Sequence, residues 1–254
     1  MTPITACVDG SAATRAVCDA AFWASTRLGK PLTLLQVLEP AADGSGQQQL
    51  LACKQGEILL QATGQHLMLL SEGAIRPCLI QRPAPLTAAL QALQVGRSGL
   101  TIIGRHGCRT HCLGLDRHLQ PLIRNLQQPL LVVHGRFSPP AALQVLASDR
   151  PALEHVMDYL GQTPLATGLP CQLYGTPDLE PALARARQRL EAIGYPCPAP
   201  PICGALPALL TGQTATTEQA CTLQIMGISG QPTAESGLAL DILRHTPQSL
   251  LLVP

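Results

Sequence analysis

Residues 100–107, LTIIGRHG, end an apolar run in two glycines three positions apart. That spacing lets backbone N–H groups approach a phosphate closely, above all where a helix follows. Within seven residues of the same stretch stand His106, Cys108, His111 and Cys112, donor types that suit zinc. Arg105 and Arg109, with Arg117 and His118 further on, could hold an anion by charge-assisted hydrogen bonds or simply solvate a loop. A thiol at Cys108 or Cys112, beside Arg and His, would be more reactive than an ordinary one.

Each chemistry needs partners. Zinc ribbons and fingers add a second, distant ligand pair, and none is evident, so no metal is expected. The gap between Cys108 and Cys112 is not the CxxC of dithiol enzymes. Ser11, in VDGS, lies where a strand turns into a helix, but without the G-x-S-x-G pattern it reads as a helix cap. No Ser/His/Asp or Cys/His set can be assembled from residue order, so no catalytic residue is named. Binding is expected in preference to catalysis.

Composition narrows the classes further. The 254-residue chain has a formal net charge of +1, which calls for neither nucleic acid nor an anionic membrane. Only two Phe, one Trp and three Tyr are present, too few for the stacking platforms of a single-strand binder. No apolar run approaches the ~20 residues of a membrane span. The start, MTPITACVDGS, does not read as a secretion signal, and many of the ten cysteines lie in apolar surroundings. A cytoplasmic protein with reduced thiols is the expectation.

The elements that must position these residues are written twice. LTIIGRHG (100–107) is echoed by LQIMGISG (223–230), and LIRNLQQPLLVV (122–133) by ILRHTPQSLLLV (242–253). ITACVDGS (4–11) pairs with VLASDR (145–150), setting Asp9 opposite Asp149. KPLTLLQV and LPCQLYG then correspond, as do IRPC (75–78) and GYPC (194–197). Five correspondences in one order indicate a duplication. In the first copy, strands ITACV, LTLLQVL, 75–80, LTIIG and LLVV alternate with helices over 12–28, 48–71, 84–95 and 115–126. Such doubly apolar strands belong to parallel sheets covered on both faces, with right-handed crossovers. Two doubly wound α/β domains follow, over residues 1–136 and 141–254, joined through the Gly/Pro-rich HGRFSPP.

ITACVDGSAATRAVCDAAFWASTRLGKPLTLLQVLEP, IIGRHG and LIRNLQQPLLVV together resemble the universal stress protein family in its tandem form. That resemblance implies five-stranded domains of the adenine-nucleotide alpha-hydrolase-like type, a role in stress tolerance, and association through the last strand. In a tandem chain that association is an intrachain pseudo-dimer, and homodimers of the whole are compatible with it. It also implies where ATP would sit in the first half: on Asp9, Val37, Gly104 and Gly107. In the second half Asp149, Gly227 and Gly230 correspond.

The family's cradle is Gly, two residues, Gly, nine residues, then Gly with Ser or Thr. Here nine residues past Gly107 stand Arg117 and His118; an alternative alignment puts Asp116 and Arg117 there. The nearest glycine, Gly114, is followed by Leu115. In the second half only six residues separate Gly230 from Gly237, and Leu238 follows. A half-kept loop that binds no ATP in the family manner is therefore expected, with no resident cofactor. The partner would be a protein or a small ligand.

Overall fold

A computed structural model describes residues 3–38, 46–83, 88, 99–105, 113–205, 221–229 and 234–254. It divides into two compact units, 1–122 with 133–137, and 123–132 with 138–254.

The first unit contains β1 (Ile4–Cys7), α1 (Ala13–Leu28), β2 (Leu32–Leu38), α2 (Gly46–Leu70), β3 (Cys78–Pro83), β4 (Leu100–Gly104) and most of α3 (Leu113–Arg124). Its strands run parallel in the order β3-β2-β1-β4, with Ile4 beside both Leu32 and Leu100. Ile4, Leu34, Leu35 and Ile102 are almost wholly buried, as expected of strands covered on both faces. On α1, Ala16, Ala20, Trp23 and Ala24 face inward. Gly29 ends α1 in the left-handed conformation at φ 60°, donating its N–H to the Ser25 carbonyl. The Trp23 and Phe137 rings lie 5.7 Å apart within this unit.

α2 starts and ends close to expectation but departs from a simple amphipathic pattern. Gly56, Leu60, Thr63, Gly64 and Leu67 are buried, while Leu50, Leu51, Ile58, Leu69 and Leu70 stand exposed. The strand expected at 75–80 lies at Cys78–Pro83. The helix expected over 84–95 falls outside the described residues.

The second unit contains β6 (Ala142–Ala147), α4 (Arg150–Gln162), β7 (Cys171–Gly175), α5 (Glu180–Ala192), β8 (Ile202–Cys203), β9 (Thr222–Gly227), α6 (Ala234–His245) and β10 (Ser249–Val253). Parallel strands follow the order β10-β9-β6-β7-β8. β5 (Leu130–Val133) ends the first sequence copy, yet residues 130–132 belong by contact to the second unit. There β5 pairs antiparallel with β10, Leu131 opposite Leu251. The contact boundary thus runs through the last strand of the first copy, upstream of the Gly/Pro-rich connection.

Candidate functional site

In an open α/β sheet, ligands sit beyond the C-terminal ends of the strands. The first unit has a cavity of about 810 Å³ there. Three chain segments wall it: the start of α1 with Ser11, Ala13 and Arg15, then Arg105 just after β4, then His134 to Arg136 after β5. Asp19, one turn along α1 from Arg15, also lines it. Three arginines against one aspartate make the wall positive, and the N-terminal end of α1 adds its partial positive charge.

Two backbone facts set these groups. The Arg105 N–H donates to the Val133 carbonyl at 2.7 Å, tying the residue after β4 to the end of β5. The Nδ1 of His134 is buried with no hydrogen-bond partner among the described residues. Burial, and then the charge of Arg105, hold the His134 pKa below the ordinary histidine value. The ring is therefore predominantly neutral at neutral pH.

Of the residues expected to hold ATP, Asp9, Val37 and Gly104 are described. The Asp9 carboxylate accepts hydrogen bonds from the Ser11 N–H at 3.0 Å and the Thr14 hydroxyl at 3.2 Å. The Ser11 hydroxyl in turn accepts from the Ala13 N–H at 3.2 Å, so both side chains order the turn into α1. The N-cap position itself is Ala12, which has no side-chain cap. Asp9 is exposed, Val37 is half-buried on β2, and neither lines the cavity. A Cβ on Gly104 would come within 2.5 Å of Ala13 Cβ and 3.2 Å of Val17 Cγ2. This glycine thus lets α1 lie directly on β4.

Gly107 and Arg109 lie outside the described residues, as do His106, Cys108, His111 and Cys112. Arg117 and His118 fall on α3, where the structure describes the backbone alone. Among the described residues no three His, Cys, Asp or Glu side chains gather as a metal site would require.

In the second unit the same positions are closed on themselves. Asp149 caps α4, accepting from the Ala152 N–H at 2.8 Å through Oδ1. Its Oδ2 accepts from the hydroxyls of Ser148 and Ser229, each at 3.2 Å. Ser229 belongs to the loop after β9, so Asp149 ties that loop to the start of α4. A Cβ on Gly227 would run into the backbone carbonyl of Ala152. The His155 Nδ1 lies 3.1 Å from the Ile228 carbonyl, and the Ile228 N–H donates to Val253 at 2.7 Å. Gly230 lies outside the described residues.

Sequence reasoning found Arg105 but missed Arg15, Asp19, His134 and Arg136. Arg15 and Asp19 were read only as helix, and His134 to Arg136 as a connection. The usable signal was that both segments stand immediately beyond strand ends in the repeat. Among the described residues, Cys171 and Cys197 are brought together. The Cys171 thiol donates to the Cys197 sulfur, which, with burial, pushes Cys171 up, while the same bond lowers Cys197.

Solved structures place this architecture. A universal stress protein from Archaeoglobus fulgidus superposes with a TM-score of 0.75, over 99% of this chain and 95% of that one. The fold is that of the universal stress proteins. Sequence identity in that comparison is 13%, so the likeness concerns the fold alone. A protein of unknown function from Pseudomonas aeruginosa aligns with a TM-score of 0.62 at 14% identity, over 100% of this chain and 92% of that one. The cytoplasmic domain of a prokaryotic cation chloride cotransporter aligns with a TM-score of 0.55 at 12% identity, over 99% of this chain and 94% of that one. No protein-family model matches the sequence, and no curated protein does. No helix among the described residues is long and apolar enough to cross a membrane.

Proposed function

We propose that the chain is a tandem stress-type binding protein, its two copies spanning residues 1–136 and 141–254, and that only the first copy takes a ligand. The ligand is a small anion, or the anionic group of a larger molecule, held by Arg15, Arg105 and Arg136. The observation that carries this reading is the cavity of about 810 Å³ ringed by those three arginines. A space of that size suits a small-molecule ligand, and guanidinium groups are the side chains best matched to phosphate or carboxylate. In the second copy, His155 on the Ile228 carbonyl and Ser229 on Asp149 support a site that no longer opens. On this reading binding of the anion serves regulation in the cytoplasm.

A second reading keeps ATP in the first copy, on Asp9, Val37, Gly104 and Gly107. The cavity has room for it, but neither Asp9 nor Val37 lines that cavity, and Asp9 is engaged by Ser11 and Thr14. Denaturing freshly purified protein and chromatographing the released small molecules separates the two. The proposal expects no stoichiometric adenine nucleotide, and expects inorganic phosphate added to the emptied protein to bind and perturb His134. Stoichiometric ATP would replace the first reading by the second.

A further inference from the structure

Helix α2 is apolar on two opposite sides. Gly56, Leu60, Thr63, Gly64 and Leu67 face the sheet. On the far side, at ~100° per residue, Leu51, Ile58, Ala62 and Leu69 fall within about 20° of one line. Leu51 is 57% exposed, Ile58 67% and Leu69 79%. A helix apolar all round belongs in a covered setting. Over its whole length α2 carries only Lys54 and Glu57 as full charges. Met68 and Leu79 extend the apolar surface on one flank, across a groove of about 180 Å³.

The outer stripe reads the same in both directions. Its spacings are seven, four and seven residues, centred on position 60. Two such helices, antiparallel about a twofold axis, set Leu51 against Leu69 of the second copy and Ile58 against Ala62. Large side chains meet small ones at the centre, which lets the helices approach closely. Beside the stripe the same register puts Lys54 against Gln65 on one side and Gln55 against His66 on the other. No like charges oppose each other. A self-complementary patch of this kind is what a closed twofold dimer requires.

We propose that the exposed face of α2 is a homodimer interface, in which the α2 helices of two chains pack antiparallel through Leu51, Ile58, Ala62 and Leu69. The stripe is roughly 27 Å long at helical rise. That is a small interface, so the dimer is reversible. It is independent of the anion site, which none of these residues lines.

Sedimentation velocity over a rising concentration series tests this on the full chain. The wild type passes from monomer to dimer. Ile58→Glu and Leu69→Glu, both at exposed positions and so expected to keep the native circular dichroism, remain monomeric. Gln65→Glu sets a carboxylate against Lys54 of the second copy twice per dimer. It should tighten association about two- to tenfold at low salt, with the gain lost at high salt. A wild type monomeric throughout overturns the proposal. So does a dimer that persists in Ile58→Glu, or one that Gln65→Glu leaves unchanged or weakens. Cosedimentation of the monomer with anionic lipid vesicles, lost in Ile58→Glu, would assign the face to a membrane surface instead.

Discussion

The two units share one local contact and differ around it, at the crossing of a helix start over a strand end. In the first, Gly104 lies against Ala13 and Val17; in the second, Gly227 lies against the backbone of Ala152. Taking Ala13 and Ala152 as equivalent, Ala16 in the first unit corresponds to His155 in the second, and Arg105 corresponds to Ile228. Ala16 and Arg105 line an open cavity, whereas His155 bonds the Ile228 carbonyl. Arg15 and Asp19 of the first unit correspond to Glu154 and Asp158, which pair with Arg189. Two differences, small against large and basic against acidic, separate the open cavity wall from the internal contact. The conserved-looking glycines teach something separate: in both units they seat a helix, whether or not a ligand is held.

The largest expected effect tests that seat. Gly227→Ala drives a methyl group into a backbone carbonyl, which cannot rotate away, and should destabilise the second unit by about 3 kcal/mol. Gly104→Ala meets side-chain atoms instead and should cost the first unit about 1–2 kcal/mol. Trp23, the single tryptophan, reports the first unit by fluorescence during urea unfolding, while far-ultraviolet circular dichroism reports both. Equal losses from the two substitutions would break the comparison.

Next in size is the pair of aspartates. Asp149→Ala removes a helix cap and the carboxylate that ties Ser148 and Ser229 to it, a loss of about 2 kcal/mol from the second unit. Asp9→Ala, at an exposed turn with no cap position, should cost roughly half that. Urea titration of both variants, read by the same two signals, checks the ratio.

These aspartates also mark how much the sequence revealed. The repeated glycines and the strand-helix alternation were legible, because each is local and recurs; the two aspartates fall one residue out of register, with Asp149 opposite Gly10. The pairing of β5 with β10 follows the expected association through the last strand of each copy, which the resemblance implies and the hydrophobic runs alone do not. Two things were not legible. Arg15, Arg105 and Arg136 stand far apart in the chain and meet only because successive strands end on one side of the sheet. And α2 read as amphipathic, since apolar letters alone do not tell which side of a helix the sheet takes.

A smaller effect sharpens the electrostatics of the first unit. The His134 pKa is lowered in the folded protein, so the unfolded chain takes up a proton first as pH falls. The penalty is absent above the ordinary histidine range near pH ~6.5 and grows as pH drops through it. Trp23-detected stability should therefore decline on acidification, and His134→Gln should flatten the decline. Bound phosphate should raise the His134 pKa by placing negative charge in the cavity, visible as a shifted imidazole titration by nuclear magnetic resonance. Smallest of all, among the described cysteines the exposed Cys78 should react first with a thiol reagent under native conditions. Cys7 and Cys18, pushed up to about 12 by burial, should stay silent until the chain unfolds.

The central claim is that one copy binds an anion and the other does not. Calorimetric titration of the full chain with inorganic phosphate, beside the Arg105→Ala and Asp149→Ala variants, tests it most directly. One site per chain is predicted, weakened about ten- to a hundredfold by Arg105→Ala and untouched by Asp149→Ala. Two sites per chain, or one site that survives Arg105→Ala and is lost in Asp149→Ala, would contradict it.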